Sequence, residues 1–172
     1  MKYLLAYCVP LIAFLGIYFG GFWSYAGVVF AFGILPLLEL IFPTDEKNYT
    51  EIEIENKLKN HFFDLLLYLN VFIVYGILFF VLHKISTIQI SLPEIIGTIL
   101  SLGIVLGSNG INVAHELGHR EKLYERILGK LLLIPSHYTH FFIEHNHGHH
   151  IHVSTLKEPL KNWFFQRNNK SK

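Results

Sequence analysis

The sequence predicts an all-α integral membrane protein, with about four transmembrane helices followed by a histidine-rich region. The composition is the first reason, because 52% of the 172 residues are hydrophobic and only 16% are charged, whereas about a quarter of a soluble domain is charged. The second reason is a succession of long apolar stretches before residue 115. The third is the clustering of histidines, since nine of the eleven lie between His115 and His152.

The first two spans are predicted at residues 3–18 and 22–42. The second has about the twenty residues that a bilayer-crossing helix needs, and Gly20-Gly21 should break the chain between the two spans. We expect Pro10 to kink the first span. No small-x-small cleavage site precedes the second span, so the first is predicted to be a retained helix and not a signal peptide.

Two further spans are predicted at residues 62–82 and 93–114. A polar segment, residues 43–60, separates the first helical pair from the second, and a short loop at 84–91 joins spans three and four. The fourth span is rich in small residues, which let helices approach closely in lipid; these are Gly97, Ser101, Gly103, Gly107, Ser108 and Gly110. The histidine-rich region, 112–155, and a polar tail, 156–172, complete a single membrane domain, 1–172.

The basic residues predict the orientation of these spans. Four spans place both termini and the 43–60 segment on one side of the membrane, and that side holds thirteen of the fourteen lysines and arginines. Lys84 is the exception. Because cytoplasmic segments are enriched in Lys and Arg, the histidine-rich face is predicted to be cytoplasmic, in a bacterial inner membrane. A net charge of +1 gives no reason to expect a nucleic-acid partner, and Cys8 is expected to be a small buried hydrophobic residue.

The first histidine cluster is His115-Glu116-Leu117-Gly118-His119. Residues four apart share one face of a helix, so His115 and His119 could bind the same metal ion or neighbouring ions. The HExxH pattern is also the signature of zinc proteases, in which the glutamate is the general base. This cluster alone therefore leaves both a zinc protease and another metal site open.

The second cluster, residues 144–150, repeats the i, i+4 spacing with His145 and His149 and adds His150. Five imidazoles exceed the ligands of one tetrahedral zinc site and suit two metal ions, of iron, copper or zinc. Glu116 and Glu144 are predicted to orient the ligands, because metal-bound histidines commonly donate their other N–H to a carboxylate. The remaining histidines of the region are not predicted ligands; these are His137, His140, His147 and His152.

The two clusters resemble the first two histidine boxes of a known family. Asn-Val-Ala-His-Glu-Leu-Gly-His-Arg, residues 112–120, looks like the first box of the membrane alkane 1-monooxygenases and xylene monooxygenases. Glu-His-Asn-His-Gly-His-His, residues 144–150, looks like the second box. The step of thirty residues from His115 to His145 also fits this family, which belongs to the membrane non-haem di-iron hydroxylases and desaturases.

The resemblance implies a site with two non-haem irons that activates O2 and hydroxylates a C–H bond of an alkane or a fatty-acyl chain. It implies that the metal ligands are His115, His119, His145, His149 and His150. It also implies that electrons arrive from NAD(P)H through a reductase and a rubredoxin-type donor.

The family has further spans and a third histidine box after the region that this chain matches. We therefore expect weak or no hydroxylase activity from the chain alone, and a partner chain could supply the missing ligands. Two alternatives to the hydroxylase are a membrane zinc protease using His115, Glu116 and His119, and a non-catalytic metal-binding membrane module.

Overall fold

The computed structural model of the protein describes residues 6–42 and 61–140. Every regular element in these two segments is a helix, so the predicted all-α fold is confirmed. The polar segment at 43–60, the second histidine cluster with Glu144, and the tail at 156–172 lie outside the described residues.

The first two helices form a tight hairpin. Helix α1 is Cys8–Phe19, and helix α2 is Gly21–Ile41, with a 3-10 turn at its start and a π-helical turn at Phe30–Ile34. Gly20 and Gly21 have φ angles of 72° and 55°, a backbone region that glycine adopts without steric cost. The predicted break is therefore at these two glycines. Pro10 lies in the first turn of α1, where its missing N–H removes no helical hydrogen bond, and the kink at this residue stays a prediction.

The second helical pair is longer than the first. Helix α3 is His61–Thr87, and helix α4 is Leu92–Gly118, in which a π-helical stretch, Leu106–Ile111, separates two α-helical parts. Helix α5, Leu123–Leu133, follows the end of α4.

Three helices are long and apolar enough to cross a bilayer; they are Gly21–Ile41, Phe62–Thr87 and Leu92–Gly118. Many large apolar side chains are also exposed on the surface. The long apolar helices and this surface are those of an integral membrane protein. Helix α1 is apolar but has only twelve described residues, fewer than the 17 to 25 or so that a spanning helix requires. Four spans therefore stay a prediction.

Small residues bring α4 against the first hairpin. A Cβ on Gly97 would lie 2.7 Å from the Tyr25 ring, and the Ser101 hydroxyl donates a 2.6 Å hydrogen bond to the carbonyl of Ser24. Gly103 and Gly107 have no such neighbours within 4 Å. Close helix packing thus accounts for Gly97 and Ser101, but not for these two glycines.

A largely buried ion pair between α3 and α4 also contacts the first hairpin. Lys84 Nζ lies 2.8 Å from Glu94 Oε1 and donates a 2.5 Å hydrogen bond to the carbonyl of Ile17 in α1. The prediction that Lys84 lies in a loop is wrong, because α3 continues to Thr87 and the lysine is 7% exposed. The pairing with Glu94 compensates the cost of burying this charge.

Candidate metal centre

The first histidine cluster lies at the end of α4. The last α-helical part, Asn112–Gly118, turns Ala114 and Leu117 into the protein core and leaves His115 half-buried. His119 follows the helix directly and is exposed, with φ of −83° and ψ of −7°. The two histidines therefore extend from the same side of this helix end, as the i, i+4 spacing predicts.

The ring nitrogens of the two imidazoles lie within hydrogen-bonding distance of each other. The Nε2 atoms of His115 and His119 are 3.1 Å apart, and the ring centroids are 4.6 Å apart with the ring planes at 85°. Two nitrogen ligands at about 2.1 Å from one metal ion lie about 3.0 to 3.4 Å apart when the angle between them is between octahedral and tetrahedral. The separation of the Nε2 atoms fits this range, so the pair suits two positions of one metal ion.

Glu116 lies on the other side of His115. Its Oε1 is 3.7 Å from His115 Nδ1, and its side chain is 65% exposed. This distance is too long for a direct hydrogen bond. The carboxylate is nevertheless next to the nitrogen that faces away from His119, which is where an orienting carboxylate acts on a metal-bound imidazole.

Helix α5 packs directly against the helix that bears His115. Gly129 makes this contact possible, because a Cβ at its position would lie 3.0 Å from the Ala114 carbonyl and 3.2 Å from the Leu117 Cβ. Leu132 and Leu133 of α5 are fully buried in the same core as Leu117. The histidine helix is thus held from one side by apolar packing.

Helix α3 holds the same corner by polar contacts. Arg120, which follows His119, places Nη2 2.9 Å from Asp64 Oδ1 in the first turn of α3. One turn further along α3, the Tyr68 hydroxyl donates a 2.5 Å hydrogen bond to the buried carboxylate of Glu125 in α5. None of these four residues was predicted from the sequence to have a role at the site. A charged residue at the start of an apolar span and another beside a histidine were the available signals.

The other histidines of this region lie partly within and partly outside the described residues. His137 is exposed and has a φ of 53°, and the ring of His140 packs at 4.7 Å against Tyr138. Within 6–42 and 61–140, no group of three or more His, Cys, Asp or Glu side chains could hold a metal ion. The predicted ligands of the second cluster, His145, His149 and His150, lie outside these segments.

The chain is similar to membrane monooxygenases. It is 39% identical to an alkane 1-monooxygenase of Pseudomonas putida over 141 residues, 81% of this chain and 35% of that protein. It is 36% identical to alkane 1-monooxygenase 1 of Alcanivorax borkumensis over 137 residues, 80% of this chain and 34% of that protein. The hydroxylase component of a xylene/toluene monooxygenase of Pseudomonas putida is 30% identical over 159 residues, 90% of this chain and 41% of that protein.

These matches span about a third of the length of the first two relatives and four-tenths of the third. No family model matches the chain.

Proposed function

We propose, from the premise that this chain belongs to the membrane alkane and xylene monooxygenases, that it forms part of a di-iron hydroxylase of hydrocarbon or fatty-acyl chains. The observation that carries the proposal is the convergence of His115 and His119, whose Nε2 atoms are 3.1 Å apart at the end of a membrane helix. Imidazole nitrogens at this separation are suitable ligands for iron.

In this proposal, His115 and His119 bind one side of the metal centre, and His145, His149 and His150 supply further ligands. Glu116 and Glu144 orient the imidazoles. The irons, when bound, supply the chemistry that activates O2 for insertion into a C–H bond. A partner chain supplies further ligands where these five histidines do not complete the site.

The position of the pair favours a substrate that dissolves in lipid. His115 belongs to the helix Leu92–Gly118, which is apolar enough to cross a bilayer, so the metal centre would lie near the end of the hydrocarbon region. An alkane or acyl chain could reach it without crossing water. The thirteen basic residues predicted on this side favour a cytoplasmic location, where a rubredoxin-type donor and its NAD(P)H reductase could deliver electrons.

The metal content of the chain, purified in detergent, tests the proposal. We expect about two irons per chain in the wild type, and a loss of at least half of them in His115→Ala and in His119→Ala. His83→Ala is a matched control, since His83 is exposed near the end of α3, and it should keep the wild-type content.

Iron that is unchanged in both variants would contradict the proposal. One zinc per chain, lost in the same variants, would instead favour a metalloprotease, and proteolysis that Glu116→Ala abolishes without loss of zinc would establish it.

A further inference from the structure

We infer that the ion pair between Asp64 and Arg120 is a positioning device for His119, which fixes the imidazole in the place where it can bind metal together with His115. This inference rests on the proposed function. It concerns residues that lie beside the metal ligands and do not themselves bind metal or substrate.

His119 depends on the chain that follows it. It lies beyond the last α-helical residue of α4, Gly118, and the next regular element begins only at Leu123. The Leu117 carbonyl accepts both backbone hydrogen bonds described for this turn, one from the His119 amide and one of 3.3 Å from the Arg120 amide. Since helix ends fray more readily than helix interiors, the backbone of this turn is a weak support for a metal ligand.

The ion pair supplies the additional support. Asp64 lies in the first turn of α3, where a carboxylate is favoured by the partial positive charge of the helix N-terminus. It is 2.9 Å from the guanidinium of Arg120, and the two side chains are only 18% and 37% exposed. An ion pair that is partly screened from water and has this distance is a charge-assisted hydrogen bond of the stronger kind.

The rest of this corner is anchored independently. Tyr68 holds α5 through Glu125, and the Tyr75 hydroxyl donates a 2.8 Å hydrogen bond to the Leu131 carbonyl at the other end of α5. Gly129 keeps α5 against the helix of His115. The loss of Asp64 should therefore leave α3, α4 and α5 packed and affect mainly the turn that contains His119.

Support of the His119 turn matters because metal binding depends on the separation of the two imidazoles. The two Nε2 atoms fit one metal ion because they are about 3 Å apart, and a displacement of about 1 Å in a functional group can abolish a productive geometry. His115 is fixed by the helix on which it lies, whereas His119 is fixed by the turn. The His119 ring also contacts the His115 ring, and the Asp64–Arg120 pair supports the turn from which His119 makes this contact.

Two variants and a matched control test the inference on the full chain in lipid nanodiscs. Asp64→Asn removes the charge at nearly constant volume, and Asp64→Glu is the conservative variant that should restore the pair in part. The control is Glu94→Gln, which breaks the ion pair between Lys84 of α3 and Glu94 of α4. The measurements are hydrogen exchange at residues 117–120 without metal, and the affinity and visible absorption spectrum of added Co²⁺.

In Asp64→Asn we expect faster exchange at 117–120, Co²⁺ binding weakened by about 10- to 100-fold, and an altered Co²⁺ spectrum. Asp64→Glu should recover most of the affinity. Glu94→Gln should leave both the exchange of this turn and the spectrum unchanged, although it destabilises the protein.

The outcomes distinguish the inference from the proposed function. Unchanged exchange at 117–120 in Asp64→Asn would overturn the inference, as would faster exchange with a wild-type affinity and spectrum, since the pair would then be merely structural. A wild-type chain that binds no Co²⁺ would overturn the proposed function, and with it the positioning role for a metal ligand.

Discussion

At the scale of single residues, a set of buried amides is placed where α1, α3 and α4 meet. Asn109 Nδ2 donates a 2.8 Å hydrogen bond to Asn70 Oδ1, and Asn70 Nδ2 donates to the Tyr7 hydroxyl at 3.1 Å. Both asparagines are at most 5% exposed. Polar groups between membrane helices stabilise helix association when their hydrogen bonds are satisfied, and Asn109 makes its bond from within the π-helical stretch that precedes the histidines.

Replacement of Asn109 by Ala should lower the free energy of unfolding by about 1 to 2 kcal/mol, because Asn70 would lose a buried partner. Equilibrium unfolding in mixed micelles measures this difference. Asn112→Ala is the control, since Asn112 is exposed three residues further along α4 and should change the stability by less than about 0.5 kcal/mol. Equal effects of the two variants would show that the amide contacts are not stabilising.

The two predicted ligands of the first cluster illustrate what local sequence can reveal about a site. The spacing of His115 and His119 is a property of one helix, so their convergence followed from the sequence alone. Asp64 and Arg120 are 56 positions apart, and their contact depends on how α3 packs beside α4. The charge of each residue was visible in the sequence, but their pairing was not, because it is decided by tertiary structure.

At the scale of elements, the packing of α4 on the first hairpin depends on specific glycines. Gly97→Val should destabilise the protein by about 1 to 3 kcal/mol, because the added atoms would overlap Ser24 and the ring of Tyr25. Gly103→Val is the control, because it is the same substitution in the same helix. Nothing lies within 4 Å of the position that a Cβ at Gly103 would occupy. Thermal unfolding in detergent should separate the two variants, and equal midpoints would contradict close packing at Gly97.

The helix boundaries show a similar division between local and long-range causes. The break at Gly20 and Gly21 was predictable because glycine adopts positive φ angles without steric cost. The end of α3 was not, since a lysine after an apolar run is the usual mark of a loop. Lys84 remains helical and buried because its ammonium group pairs with Glu94 and donates a hydrogen bond to the Ile17 carbonyl. Both partners belong to other helices.

At the scale of the whole molecule, the Lys84–Glu94 pair links α3 to α4, and the hydrogen bond of Lys84 to the Ile17 carbonyl links them to the first hairpin. Lys84→Met alone should cost about 1.5 to 3 kcal/mol, because it leaves the largely buried Glu94 carboxylate without its charged partner. Glu94→Gln in addition should recover a large part of this loss. Unfolding free energies of the two single variants and the double variant measure the coupling, and additive losses would show that the two charges do not interact.

The two ion pairs that α3 makes, through Asp64 and Lys84, also relate the length of this helix to the thickness of the membrane. Twenty residues separate Asp64 from Lys84, and at 1.5 Å per residue this is about 30 Å, close to the thickness of the hydrocarbon core of a bilayer. Each pair would then lie near one boundary of that core. In a thinner bilayer, α3 would have to tilt, and in a thicker bilayer an ion pair would be drawn toward lipid. Since Asp64 contacts the residue next to His119, a change in lipid chain length can alter the geometry of the candidate metal centre.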